Sequence, residues 1–78
     1  MVDVEGKRHP LVKSRTVIGR GSDADITISD AGTSRKHVEI LWDGERAMVR
    51  DMNSTNGTLL GGRKVTEAAL PPDGIVTI

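Results

Sequence analysis

Three short polar motifs contain the residues of this 78-residue chain that could do chemistry. In chain order they are Gly19-Arg20, Ser34-Arg35-Lys36-His37 and Asn53-Ser54-Thr55-Asn56-Gly57-Thr58. A guanidinium, hydroxyl groups, an imidazole and amides can all form hydrogen bonds with an anion. Each motif is bordered by sequence typical of β-strands, so the loops that carry the motifs can converge on one small anion.

Arg20 is the first candidate ligand for such an anion. A guanidinium presents planar donors that meet phosphate oxygens two at a time, and it stays charged at physiological pH. The small residues at positions 21–25 leave room for the side chain to turn toward a neighbouring loop. An arginine beside a turn glycine is usually only solvated, so this prediction depends on the other two motifs.

The second motif offers a hydroxyl and two cations just before a predicted strand. Ser34 can donate a hydrogen bond to a phosphate oxygen, and backbone N–H groups in the same turn can add more. Arg35 or Lys36 would strengthen the positive field around them. An ordinary polar turn is an equally good interpretation of these residues when they are taken in isolation.

The third motif contains Asn56-Gly57, which is the strongest short signal for a tight turn. Gly57 supplies the positive φ that such a turn requires. Asn53 and Ser54 can cap their own backbone, as short polar side chains often do in turns. The motif therefore predicts a well-defined loop whatever its function.

Other chemistry is harder to build from these residues. Ser34, His37 and Asp51 could be imagined as a hydrolase triad, but the serine is not on a strand-to-helix turn and no oxyanion donors can be identified. Gly19-Arg20-Gly21 could begin a glycine-rich phosphate loop, yet the later glycine and lysine are missing. His9 and His37 fall at unrelated points of the pattern, and the chain has no cysteine. We expect neither an enzyme nor a bound metal or cofactor.

The composition limits the possible partners. Eleven basic and eleven acidic residues give a formal net charge of zero, whereas nucleic-acid binders usually carry a clustered basic excess. Trp42 is the only aromatic residue, so platforms for base stacking are not available. No apolar run approaches the roughly 20 residues that span a bilayer. We expect a protein of the cytoplasm that binds no nucleic acid and does not insert into membranes.

Short β-rich runs separated by turn residues must position the motifs, and no stretch sustains a helical amphipathic period. The predicted strands cover residues 16–18, 26–28, 37–42, 47–50 and 58–60, a segment near Val65, and residues 75–78. Asp43-Gly44 is a favoured pair for the hairpin turn after Trp42. Residues 66–70 could form a helical turn, which Pro71-Pro72 would stop. Strands at this spacing predict an all-β sandwich.

The order and spacing of the three motifs resemble the forkhead-associated (FHA) family, over residues 17–78. The resemblance implies an FHA-type β-sandwich of two antiparallel or mixed sheets, in one domain that spans residues 1–78. It also implies that loops at one end of the sandwich bind phosphothreonine in partner proteins. By similarity to bacterial relatives, we expect the partner to be a serine/threonine protein kinase or its substrate.

The resemblance implies a role for each matching residue of the site. Arg20, Ser34 and Thr55 would hold the phosphate, with Arg35 beside them. Asn56 would hydrogen-bond the peptide backbone next to the phosphothreonine, because an amide has both donors and an acceptor.

Three further residues would support the site without contacting the ligand. In the FHA pattern, the histidine that matches His37 braces the binding loops by hydrogen bonds. Gly19 and Gly57 belong to the same pattern, at the start of the first loop and in the turn of the third.

The end of the chain departs from the FHA pattern. FHA sandwiches normally add a turn and a last strand after the one that matches residues 75–78, and this strand pairs beside the first strand, here Val2-Asp3-Val4. The order Asp73-Gly74 also reverses the usual Gly-Asp. If the last strand is missing, an open sheet edge invites pairing with another chain. The alternative hypothesis is a structural or self-associating β-domain that pairs through an open sheet edge without phosphate dependence.

Overall fold

The computed structural model describes residues 2–71 and 74–78, and this part of the chain forms ten strands and no helix. The strands are β1 (Val2–Val4), β2 (Lys7–His9), β3 (Arg15–Gly19), β4 (Ile26–Thr27), β5 (Val38–Trp42), β6 (Ala47–Asp51), β7 (Thr58–Leu60), β8 (Arg63–Val65), β9 (Glu67–Leu70) and β10 (Ile75–Thr77). The described residues contain no helix that could cross a membrane. The predicted all-β class is confirmed.

The strands form two five-stranded sheets, in the orders β2-β1-β10-β7-β8 and β4-β3-β5-β6-β9. Each sheet contains one parallel pair, β1 with β10 and β3 with β4, among otherwise antiparallel pairs. Buried aliphatic side chains from both sheets form one core: Val2, Val4, Ile18, Val38, Ile40, Val49, Leu70 and Val76. The predicted β-sandwich is therefore confirmed.

The β5–β6 hairpin turns at Asp43-Gly44, as its sequence predicts. Gly44 has a φ of 100°, which a residue with a side chain rarely adopts. One carboxylate oxygen of Asp43, Oδ1, accepts the backbone N–H groups of Glu45 and Arg46 at 2.9 and 2.7 Å. The hydrogen bonds from Arg46 and Glu45 hold the pKa of Asp43 below its ordinary value. The carboxylate therefore caps the turn.

The helical turn predicted for residues 66–70 is wrong, because this segment contains strand β9. The strand lies antiparallel to β6, with Ala47 opposite Leu70 and Arg50 opposite Glu67. Glu, Ala and Leu favour helices locally, but so short a helix has little stability of its own. The ladder along β6 and the burial of Leu70 stabilise the strand instead. Pro72, invoked to stop the helical turn, lies outside the described residues.

The open edge predicted at the last strand is also wrong, because β10 is paired on both sides. Its neighbour β7 lies antiparallel, with Val76 opposite Leu60. Its other neighbour β1 lies parallel, with Asp3 opposite Ile75, and the N–H of Asp3 donates to the carbonyl of Gly74 at 2.9 Å. The first strand itself thus occupies the place beside β10. Of the reversed Asp73-Gly74 pair, Asp73 lies outside the described residues.

The sheet register brings three loops to one end of the sandwich. Ile18 near the end of β3 lies opposite Val38 at the start of β5, and Val38 lies opposite Asp51 at the end of β6. The connections at residues 20–25, 28–37 and 52–57, called here the first, second and third loops, therefore emerge side by side. They contain nearly all of the polar residues that the sequence singled out.

Candidate functional site

The backbones of the first and second loops are joined beside Arg20. The N–H groups of Arg20 and Gly21 donate to the carbonyls of Ser34 and Arg35, each at 3.0 Å. This approach is close enough to require a glycine at position 19, where a Cβ atom would lie 2.0 Å from the carbonyl oxygen of Arg35. Gly19 therefore sets the spacing between the two loops.

The Arg20 side chain is exposed but anchored at one end. Its Nε donates to the carbonyl oxygen of Thr33 at 3.1 Å, and Thr33 is buried. This bond leaves the two terminal nitrogens of the guanidinium for a ligand. Arg20 and Arg35 line a surface concavity of about 370 Å³ together with residues 21–23 of the first loop. Two guanidinium groups therefore border one small concavity.

Asp25 anchors the far end of the first loop to the sheet. Its Oδ2 accepts the backbone N–H of Val17, and its own N–H donates to the carbonyl of Val17, both at 2.8 Å. Lys13 forms an ion pair with the same carboxylate. The hydrogen bonds from Lys13 and from Val17 hold the pKa of Asp25 below its ordinary value. This loop is thus fixed at both ends.

Ser34 links the second loop to the third. Its hydroxyl oxygen accepts the backbone N–H of Thr55 at 3.2 Å. A hydroxyl that accepts one hydrogen bond keeps its own proton for another acceptor. Ser34 is half-buried and Thr55 is exposed, so a ligand can approach both. The structure therefore brings these two predicted site residues together.

Asn56 makes a second link between the same loops. Its side-chain nitrogen donates to the carbonyl oxygen of Gly32 at 2.7 Å. The Gly32 segment is held in turn by Asp30, whose Oδ1 accepts the N–H of Gly32 at 2.8 Å and whose carbonyl accepts the N–H of Thr33 at 3.0 Å. One amide N–H of Asn56 is used in this way, so its oxygen and its other N–H can meet a ligand.

His37 lies beneath the loops and has no exposed surface. Its Nδ1 accepts the backbone N–H of Ser34 at 3.2 Å, so the proton of the neutral ring is on Nε2. Nε2 lies 2.6 Å from the carbonyl oxygen of Gly57 and donates to it. The backbone of His37 bonds to Ile18 and Met52, each at 2.9 Å. His37 is therefore a structural link between the second and third loops.

Asp51 holds the third loop from below, a role that the sequence interpretation missed. Its Oδ1 accepts the hydroxyls of Ser54 and Thr58 at 2.5 and 2.7 Å, and its Oδ2 accepts the N–H of Ser54 at 3.1 Å. The Ser54 oxygen then accepts the N–H of Gly57 at 3.0 Å. Burial acts to raise the pKa of Asp51, but the hydrogen bonds from Ser54 and Thr58 outweigh it and hold the pKa below its ordinary value. The Asp-X-X-Ser spacing is the signal that could have indicated this cap.

The imagined hydrolase triad does not form. Ser34 meets His37 through its backbone N–H and not through its hydroxyl. The carboxylate of Asp51 is bonded to Ser54 and Thr58 and not to the imidazole. Among residues 2–71 and 74–78 there is also no group of three or more side chains that could hold a metal ion.

Comparison with protein families places this architecture in a known class. The FHA domain family matches residues 16–78, and the chain belongs to this family. FHA domain-containing protein FhaA of Mycobacterium tuberculosis is 40% identical over 76 residues, which are 97% of this chain and 14% of FhaA. FhaB of the same species is 36% identical over 69 residues, which are 88% of this chain and 44% of FhaB. The chain thus spans less than half the length of either relative.

Solved FHA structures have the same fold. An FHA domain studied for phosphothreonine-dependent interactions has a TM-score of 0.83 and 40% identity, covering 92% of this chain and 75% of that one. The FhaA FHA domain complexed with the intracellular domain of Rv3910 also has a TM-score of 0.83 and 40% identity, covering 92% and 79%. M. tuberculosis EmbR in complex with a low-affinity phosphopeptide has a TM-score of 0.86 and 29% identity, covering 95% and 20%.

Proposed function

We propose that residues 1–78 form one FHA domain that binds phosphothreonine in partner proteins. The observation that carries this proposal is the convergence of Arg20, Ser34, Thr55 and Asn56 on one end of the sandwich, through hydrogen bonds between their loops. Support also comes from the similar solved domains, which include one with phosphothreonine-dependent interactions and one bound to a phosphopeptide.

The phosphate would be held by side chains from all three loops. Arg20 would supply its terminal guanidinium nitrogens, Ser34 its hydroxyl proton and Thr55 its exposed side chain, with Arg35 adding positive charge. Charge-assisted hydrogen bonds contribute about 1.5–3 kcal/mol each. A few of them therefore account for the roughly 8 kcal/mol of a complex with a dissociation constant of about 1 μM.

The peptide main chain would be held by Asn56. One N–H of its side-chain amide donates to the carbonyl of Gly32. The amide oxygen and the second N–H remain available to the peptide. Gly19, His37 and Gly57 would keep the loops in this arrangement before a ligand arrives. A preformed site loses less conformational entropy on binding than one that must be ordered.

The biological setting belongs to the same proposal. The domain would be a binding module of the cytoplasm without catalytic activity. Its partner would be a serine/threonine kinase or a substrate of such a kinase. The solved relatives with phosphothreonine-dependent interactions or a bound phosphopeptide favour this proposal over phosphate-independent pairing through an open sheet edge.

Calorimetric titration with matched peptides tests the proposal. A peptide with phosphothreonine should bind with a micromolar dissociation constant, and its unphosphorylated form should not bind measurably. Phosphoserine should bind about four-fold more weakly if the extra methyl group is buried, since that group is worth about 0.8 kcal/mol. Arg20→Ala should remove binding, while Arg46→Ala, at the β5–β6 turn, should not. Equal affinity for the phosphorylated and unphosphorylated peptides would refute the proposal.

A further inference from the structure

We propose that Lys64 is a second recognition point of the site, which favours an aspartate or glutamate beside the phosphothreonine. This inference rests on the proposed function and adds a residue of strand β8 that none of the three polar motifs contains. The ligand class it adds is a phosphopeptide with an acidic flank.

The Lys64 side chain lies beside the third loop. Lys64 lies opposite Leu59 in the β7–β8 pair, yet its side chain reaches back to the third loop. A Cβ atom at Gly57 would lie 2.7 Å from Cε and 3.4 Å from Nζ of Lys64. The terminal methylene groups of Lys64 therefore occupy the space beside Gly57, the residue that follows Asn56, and the ammonium group lies next to them. A cation from strand β8 is thus placed at the rim of the site.

Within residues 2–71 and 74–78, no carboxylate is paired with the charge of Lys64. Several other cations pair with carboxylates: Lys13 with Asp25, Arg15 and Arg50 with Glu39, and Lys36 with Asp23. The exposed Lys64 makes no ion pair with any residue in 2–71 or 74–78. Its stem already packs on the glycine, so little side-chain freedom is lost when an anion binds.

The geometry of an extended peptide would bring a flanking side chain close to Lys64. Successive residues of an extended chain advance about 3.3 Å, and their side chains alternate in direction. If Asn56 holds the main chain next to the phosphothreonine, one of the next few side chains lies over Gly57, within reach of Nζ of Lys64. A single ammonium matches a single carboxylate. The expected gain is about two- to five-fold in affinity, the usual range for an exposed ion pair.

An aspartate scan tests the inference. A phosphothreonine peptide with alanine at all flanking positions is titrated against the domain, and aspartate is then moved through each flanking position in turn. The wild type should bind at least one aspartate peptide about two- to five-fold more tightly. Lys64→Ala should lose this gain, and Lys64→Glu should reverse it. The gain is taken within each variant, as the ratio of its affinity for the aspartate peptide to its affinity for the all-alanine phosphopeptide, so a general effect of the charge on phosphate binding cancels.

Arg63→Ala is the matched control, because it removes a neighbouring cation that lies opposite Leu60 and lines a different groove with Leu60 and Val65. This variant should keep the full preference. If the all-alanine phosphopeptide binds but no aspartate position improves affinity, or if Lys64→Ala keeps the gain, the role of Lys64 is refuted and the proposed function stands. If no phosphopeptide binds at all, the proposed function falls, and this inference with it.

Discussion

The imidazole of His37 donates its Nε2 proton to the carbonyl oxygen of Gly57 across 2.6 Å, inside the sandwich and away from solvent. The acceptor belongs to the third loop, and the ring belongs to the second loop. Because Gly57 has a φ of 85°, its backbone is turned in a way that residues with side chains rarely adopt. This buried hydrogen bond fixes the two loops from within, in addition to the exposed Ser34–Thr55 and Asn56–Gly32 links. The residues proposed to bind the phosphopeptide lie on the loops above this bond.

Replacing His37 with alanine should therefore lower stability while leaving the candidate ligands chemically intact. The carbonyl of Gly57 and the N–H of Ser34 would lose their partner in the interior, which costs about 1–3 kcal/mol. For a domain of this size, each kcal/mol corresponds to about 4–8 °C in melting temperature. Thermal melts followed by circular dichroism measure the difference.

Arg20→Ala is the control for that experiment. Within residues 2–71 and 74–78, the exposed side chain makes one hydrogen bond, to Thr33, so its loss should change stability by no more than about 0.5 kcal/mol. A His37→Ala variant that melts at the wild-type temperature would show that the histidine is not a structural link.

Asp51 should make the domain sensitive to acid. The pKa of its carboxyl is held below its ordinary value of 3.8 in the folded state, so the folded protein binds its proton less readily than the unfolded chain does. The stabilisation is therefore complete above about pH 5 and is lost as the pH falls through the unfolded and then the folded pKa. Urea unfolding of the wild type at several pH values should show this decline.

The Asp51→Asn variant should isolate this contribution. At pH 7 it should be less stable than the wild type by about 1–3 kcal/mol, because hydrogen bonds to a charged acceptor are lost. The difference should narrow as the pH falls below the ordinary value of 3.8, because the unfolded wild-type chain takes up this proton before the folded protein does. Asp23→Asn is a suitable control, since this carboxylate is exposed and its ion pair with Lys36 is long, at 3.9 Å. A constant difference between pH 7 and pH 3 would contradict the assignment.

Gly19 should tolerate no side chain. An alanine at this position would place its Cβ 2.0 Å from the carbonyl oxygen of Arg35, so the first and second loops would have to separate. Overpacking of this kind typically costs about 1–3 kcal/mol, and phosphopeptide binding should weaken as well. Unfolding in urea and calorimetry of the same variant would measure both effects.

The Gly6→Ala variant introduces backbone strain without a steric clash, and is therefore the control for Gly19→Ala. Gly6 has a φ of 80°, but a Cβ there meets no atom within 4 Å. This variant should lose about 1 kcal/mol of stability from strain and should keep normal binding. If Gly19→Ala binds the phosphopeptide as tightly as Gly6→Ala does, the spacing of the two loops does not depend on the glycine.

Local patterns in the sequence predicted the strands well where alternation and turn residues agreed. The β5–β6 hairpin is the clearest case, because Asp43-Gly44 and the alternation of Val38, Ile40 and Trp42 indicate the same structure. Residues 66–70 were misassigned because the Glu-Ala-Ala-Leu segment lacks alternation, and its strand conformation depends on a ladder with β6.

Contacts between segments that are distant in the sequence could not be predicted from local patterns. The pairing of Asp3 with Ile75 joins the two ends of the chain, and no local pattern encodes it. The burial of Thr33 likewise depends on loops that meet only in the folded state. The approach of Lys64 to Gly57 crosses between β8 and the third loop, which is why the motif pattern did not include it.

Strand β1 should keep the domain monomeric by covering the edge of β10. Val2 and Val4 are buried, and they anchor β1 to the core beside Val76. Sedimentation velocity of the wild type should show a monomer at micromolar concentration. The double variant Val2→Ala/Val4→Ala loses this packing, so β1 should separate from β10 and leave unpaired backbone groups that attract another chain. Its apparent mass should rise with concentration, whereas Lys7→Ala, an exposed change on β2, should stay monomeric. A wild type that already dimerises, or a double variant that folds and stays monomeric, would show that β1 does not protect this edge.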